Sequence, residues 1–138
     1  MIAEASLDDV LAVLSRVPEL AQGRTRETYA QRLHGRPALL LVALAAGEAV
    51  GFKVGYALDA QVFYSWIGGV VPGQRGRGIA QALLEAQQQW ARAQGFACIE
   101  VKSSARFPSM LALLERNGYR RLDEEGGKLR FGKVLAAA

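Results

Sequence analysis

Cysteine and histidine are almost missing from this chain: Cys98 and His34 are the only ones in 138 residues. A lone cysteine excludes an internal disulfide and any multi-cysteine zinc site, and it removes the usual argument for secretion. A lone histidine leaves little room for a histidine-based centre, so no metal is expected. Long apolar runs are lacking too. The longest, Ala38 to Ala46, falls far short of the roughly 20 residues that a membrane span needs. Met1-Ile2-Ala3-Glu4 has neither the basic start nor the apolar block of a signal peptide. The default compartment is therefore the cytoplasm, with no membrane partner. Repeats and low-complexity linkers are absent, so residues 1–138 read as one domain. Excess charge is small: 17 Lys+Arg against 13 Asp+Glu leaves +4. Such a balance suits nucleic acid, an acidic metabolite or a phosphorylated cofactor without choosing among them.

What is present is a regular alternation of patterns. Ile2–Ala5 is a short strand. Ser6 precedes Leu7, Val10, Leu11 and Leu14 at helical spacing, with Asp9 as a capping-box partner, and Pro18 punctuates the end. A polar helix covers Arg26–His34, stopped by Gly35-Arg36-Pro37. The period then changes. Ala38–Ala45, Ala49–Leu58 and Gln61–Val71 read as three strands of an antiparallel meander, turning at Ala46-Gly47-Glu48 and Asp59-Ala60. Pro72-Gly73 breaks the third. A long helix, Gly78 to Gln94, follows, with Ile79, Ala82, Leu83, Ala86 and Trp90 as its apolar stripe and Gly95 as its stop. Ala97–Val101 is the next strand, and a helical crossover makes it parallel to the strand before. Pro108 opens another helix, with Met110, Leu111, Leu113 and Leu114 on its apolar side and Asn117-Gly118 at its end. Tyr119–Leu122 and Lys128–Val134 close the chain around the turn Asp123–Gly127. The sum is an α+β domain with a mixed, mostly antiparallel sheet and flanking helices.

The segment richest in chemistry is Val70-Val71-Pro72-Gly73-Gln74-Arg75-Gly76-Arg77-Gly78-Ile79-Ala80. A strand ends, a basic glycine-rich loop follows, and a long helix begins. The first amides of a helix lack internal partners and carry the positive end of its dipole, so this junction favours an anion. Gly76 and Gly78 let a phosphate approach the backbone, and Arg75 and Arg77 add charge. The loop is neither a Walker loop nor the dinucleotide fingerprint, because it lacks the Lys-Ser/Thr ending and spaces its glycines differently.

Arg75-x-x-Gly78-x-Ala80 does match Gln/Arg-x-x-Gly-x-Gly/Ala, the signature of the GCN5-related N-acetyltransferases. The preceding meander and the helix ending in Gly118-Tyr119 extend the resemblance over nearly the whole chain. The resemblance implies splayed central parallel strands and acetyl-CoA as acyl donor. It implies a pyrophosphate resting on the amides of Arg75, Gly76, Arg77, Gly78, Ile79 and Ala80, with Gln74 and Gln81 beside them. It also implies a pantetheine arm along Gly69, Val70 and Val71, with the Val70 amide as oxyanion donor. The acceptor would be a small-molecule or peptide amine, no nucleic acid is expected, and a homodimer is left open by the habit of relatives. The family's Asn falls on Ala105 or Phe107 here, and its thiolate-protonating Tyr on Ala112 or Leu114, so both are unmatched.

Candidates for the remaining roles are few. Glu100, between Ile99 and Val101, is either a general base with a raised pKa or a solvated carboxylate on an alternating strand. Tyr29, Tyr64, Trp66 and Tyr56 line an acceptor pocket or pack the core. Ser103 and Ser104 follow the splayed strand and either touch cofactor or substrate or are loop hydroxyls with no such duty. Asp59 and Glu48 read as turn residues, His34 as a surface helix end, and Cys98 as core. The reading is an N-acetyltransferase working by direct attack. Its rivals are a non-catalytic CoA-binding module of the same fold and a nucleic-acid binder, the latter without any aromatic-basic interleaving.

Overall fold

The computed structural model describes residues 1–22 and 24–135. Short-range signals set most boundaries. Ser6 Oγ accepts from the Asp9 amide at 3.1 Å while Asp9 Oδ2 accepts from the Ser6 amide at 3.2 Å. This reciprocal cap starts α1, Leu7–Leu14, after the short β1, Ile2–Glu4. Thr25 caps α2, Arg26–Leu33. The meander follows as β2 (Ala38–Ala45), β3 (Glu48–Ala57) and β4 (Val62–Val70). Asp59 Oδ1 holds the second turn by accepting from the amides of Gln61 and Val62 at 2.7 and 2.9 Å. A single 3-10 turn, Pro72–Gln74, leads to α3, Ile79–Ala93, then β5, Cys98–Ser103. Pro108 stands at the first position of α4, Pro108–Arg116, before β6 (Arg120–Glu125) and β7 (Lys128–Val134).

The strands form one sheet in the order β1-β2-β3-β4-β5-β7-β6. All neighbours are antiparallel except β4 and β5, whose parallel pairing follows from the α3 crossover. That one parallel pair is short. Val62–Ser65 match Cys98–Val101, and beyond them the two strands part. The expected splay is there, and it opens toward the N-terminus of α3.

Two apolar clusters sandwich the sheet. Leu39, Leu41, Phe63, Ile99 and Val101 face α3 and α4 with Leu83, Leu84, Leu113 and Leu114. Val42, Val50, Phe52 and Val54 face α1 and α2 with Val10, Val13 and Tyr29.

Three features differ from the sequence expectation. The buried face of α3 is Leu83, Leu84, Gln87, Gln88 and Ala91, a stripe rotated from the apolar one, with two glutamines inside. Asp123 is not in the last turn. A bulge at Leu122 carries β6 on to Glu125, and the turn contracts to Gly126-Gly127, both at positive φ. Cys98 is half-buried at the start of β5 rather than a core residue.

Candidate active site

The gap between β4 and β5 owes its chemistry to a register change. Gly55 pairs with Ser65 and Val54 with Ile67, which leaves Trp66 as a bulge where the two strands begin to separate. Beyond it, the Val71 amide donates to the Val50 carbonyl at 2.9 Å. Residues of an antiparallel pair alternate between exchanging hydrogen bonds and turning their polar groups outward. With Gly69 opposite Phe52 and Val70 opposite Gly51, Gly69 and Val71 engage β3. The N–H groups of Gly68 and Val70 face the gap instead. The expectation that Gly69, Val70 and Val71 all offer free backbone groups is thereby corrected. Only the Val70 N–H does, since the Val70 carbonyl accepts from Arg75 Nε, and Gly68, which the sequence did not single out, joins it.

The glycine loop delivers α3 to the mouth of this gap. Gly76 and Gly78 adopt left-handed φ of 77° and 79°, a conformation that other residues enter at a cost of roughly 1 kcal/mol or more. A Cβ at either position would meet nothing within 4 Å, so the space over the loop is open. Gly78 caps the helix without a side-chain bond. The amides of Gln74 and Arg75 are engaged by the carbonyls of Val71 and Pro72. From Gly76 through Gln81, the consecutive amides have no partner among the described residues. Bare N–H groups at the positive end of a 15-residue helix are an anion site in waiting.

The side chains here do less than expected. Arg75 donates from Nη2 to Glu19 at 2.6 Å and from Nε to the Val70 carbonyl at 3.0 Å, so it ties the loop to the sheet and is no free cation. Arg77 touches Gln74 Oε1 at 3.3 Å and has no acidic partner among the described residues. Gln81 is cross-linked to Asn117 by reciprocal 2.8 Å bonds, which pin α3 to α4. Its side chain is therefore committed, and only its main-chain amide is available.

On the face carrying α1 and α2, a cleft of about 270 Å³ lies beside the point of splay, between Tyr64, Glu100, Arg130 and Arg32. Glu100 Oε1 accepts from Arg130 Nη1 at 2.9 Å, and Arg130 also grips Asp123 at 2.7 Å. That bond holds the Asp123 carboxyl below its usual range. Ile99 and Val101 point to the opposite face, so the neighbours of Glu100 in the cleft are Tyr64, Lys102 and Arg130 instead. Burial pushes the Tyr64 hydroxyl up. Trp66 is half-buried, with Tyr29 packed against it at 5.4 Å between ring centroids. Tyr29 and Tyr56 are buried, so they form a floor rather than a contact surface. A larger concavity, about 430 Å³, sits around the Asp59 turn, at the other end of β4 from the loop.

Residues 7–119 match the acetyltransferase (GNAT) family. The chain belongs to that family. No curated protein matches the sequence. Solved acetyltransferases share the fold end to end. The ribosomal-protein-S18-alanine N-acetyltransferase from Escherichia coli superposes with a TM-score of 0.84 at 17% identity, covering 100% of this chain and 95% of its own. The PaiA N-acetyltransferase from Thermoplasma acidophilum, solved with coenzyme A, gives 0.78 at 13% identity, covering 97% and 98%. An aminoglycoside 6'-acetyltransferase type Ii gives 0.79 at 16%, covering 99% and 97%.

Within this acetyltransferase fold the remaining candidates separate. Ser103 is buried and Ser104 holds the following turn, its Oγ accepting from the Arg106 amide at 3.2 Å. His34 is an exposed cap of α2 and Glu48 pairs with Arg16 at 3.1 Å. Leu114 is buried and Ala112 exposed, and neither carries a proton. Burial raises the Cys98 thiol, with Glu100 and Asp59 adding to it, which makes it a poor nucleophile. Among the described residues no group of three or more His, Cys, Asp or Glu could hold a metal, and no helix is long and apolar enough to cross a membrane.

Sequence reasoning missed Lys53. It is 8% exposed on β3, and burial lowers its amine to about 8. The signal was visible as a lysine between Phe52 and Val54 in an otherwise apolar strand.

Proposed function

We propose that the chain transfers the acetyl group of acetyl-CoA to a primary amine by direct attack in a ternary complex. The observation that carries this reading is the row of unpartnered amides from Gly76 to Gln81, set at the mouth of the β4–β5 gap. Acetyl-CoA supplies an activated thioester. The loop amides and Arg77 hold its diphosphate. Gly68 and the Val70 N–H offer main-chain groups to the pantetheine arm, the Val70 carbonyl being held by Arg75. The Val70 N–H is aimed at the thioester carbonyl, where a fixed donor is worth roughly 10²–10³ in rate.

Glu100, which pairs opposite Tyr64, takes by water relay the proton that the amine must lose before it attacks. Arg130 occupies one of its oxygens and leaves acceptor capacity toward the cleft. A thiol with a pKa of about 8.5 leaves as thiolate without an acid, so the missing family Tyr does not block the reaction. The same absence favours a second reading, a CoA-binding module without turnover.

Calorimetry and thiol release separate the readings. Acetyl-CoA should bind at micromolar concentrations, and addition of an amine should release free thiol. Binding without release across a broad amine panel would favour the module. Gly78→Glu puts a carboxylate and a strained φ at the helix start and should weaken binding at least about 30-fold. Unchanged affinity would remove the loop assignment.

A further inference from the structure

We propose that the acceptor is a small primary amine bearing its own anionic group, a carboxylate or a phosphate, held by Arg24, Arg32 and Arg36 above the aromatic floor at the point of splay. This rests on the transferase reading and names its acceptor class.

The three arginines come from α2 and its two flanks, and all stack on rings. Arg32 Cζ lies 4.8 Å over Trp66 and Arg24 lies 5.8 Å from it. Arg36 lies 4.8 Å over Tyr56. Stacking fixes a guanidinium plane while leaving its edge donors free. Arg32 uses one donor, on the Tyr56 hydroxyl at 2.9 Å. Among the described residues no carboxylate lies within 4.0 Å of any of the three.

The other charged groups of the cleft, two cations and three carboxylates, leave one negative charge over. Arg130 holds Glu100 and Asp123, and Lys102 reaches Glu125 at 3.5 Å. Adding Arg24, Arg32 and Arg36 (+3) to that −1 leaves a net +2 at this entrance. A ligand anion completes it, with the planar fork suited to two parallel bonds from carboxylate or phosphate oxygens. Trp66 is the bulged residue where β4 and β5 part, so the anion sits at the apex of the gap in which the cofactor arm is proposed to lie. Of the three arginines Arg32 lines the cleft of about 270 Å³, and Arg36 lines the concavity of about 430 Å³ around the Asp59 turn. An aminoglycoside or polyamine brings several positive charges to the same arginines and is repelled.

The test uses matched amines that differ in the anion: β-alanine against ethylamine, O-phosphoethanolamine against ethanolamine, with spermidine and kanamycin as polycations. Thiol release should show kcat/KM at least about 30-fold higher for one or both anionic members, and which of them wins assigns carboxylate or phosphate. Arg32→Gln and, separately, the exposed Arg36→Gln should each raise KM for that amine about tenfold with a smaller effect on kcat. Equal rates within both pairs, or a preference for the polycations, would overturn the anion proposal while leaving the transferase reading intact. Should no amine be acetylated, the arginines are still tested by Trp fluorescence: β-alanine or inorganic phosphate should perturb the wild type and not Arg32→Gln. No response to either compound at tens of millimolar overturns the proposal on its own.

Discussion

Lys53 places an amine where no carboxylate among the described residues lies within 4.0 Å. It projects from β3 onto the α3 side, over Gly68, whose absent side chain leaves room for the lysine stem 3.4 Å from the ideal Cβ position. Burial lowers the amine from 10.5 to about 8. A lowered lysine pKa makes the folded state resist protonation, so the destabilisation is complete below about pH 8. It fades as pH rises from there toward the unfolded value near 10.5. The shift corresponds to about 3 kcal/mol at most. Lys53→Met should therefore raise stability at pH 7 by about 2–3 kcal/mol in urea unfolding. The gap between variant and wild type should narrow from pH 8 to 9.5. A constant gap would mean that the amine titrates normally. Glu100 is the other residue with a sharp expectation. Glu100→Gln should lower kcat by about 10²–10³ while acetyl-CoA affinity holds. An undiminished kcat would assign the proton to water.

Elements show where sequence patterns sufficed and where they failed. β2 and β7 run over the residues their apolar and alternating patterns imply, because nothing long-range competes with those patterns. The α3 start was legible from the glycine loop, since Gly78 has to be left-handed and its amides have to be bare. The roles within β4 were not. A single bulged residue, Trp66, decides which N–H groups face the gap, and no composition marks a bulge. The glutamines under α3 were equally hidden, because polar residues at 87 and 88 read as solvent-facing. Gly55 explains how one of them fits. A Cβ there would stand 2.4 Å from Phe63 Cε2, 2.7 Å from the Tyr64 carbonyl and 2.8 Å from Gln87 Nε2. The Tyr64 backbone cannot yield. Gly55→Ala should cost about 1–3 kcal/mol, read as a lower denaturant midpoint at unchanged slope. An unshifted midpoint would mean that α3 sits further from the sheet.

At the scale of the whole molecule, the sheet is one surface split at one place. The split needs three things at once: a crossover helix that makes β4 and β5 parallel, a bulge that turns β4 away, and a loop that starts α3 at the opening. The sequence pattern showed the first and third, and the family resemblance supplied the splay. The cleft on the other face lies beside the same apex, so the proposed donor and acceptor sites adjoin there. The account depends on an anion meeting main-chain N–H groups at the start of α3. The most direct measurement is a ¹⁵N–¹H spectrum of the labelled protein titrated with coenzyme A. The largest shifts should fall on the amides of Gly76 to Gln81, followed by Gly68 and Val70, with Gly69 and Val71 moving less. A spectrum in which coenzyme A binds and those loop amides stay still would contradict it.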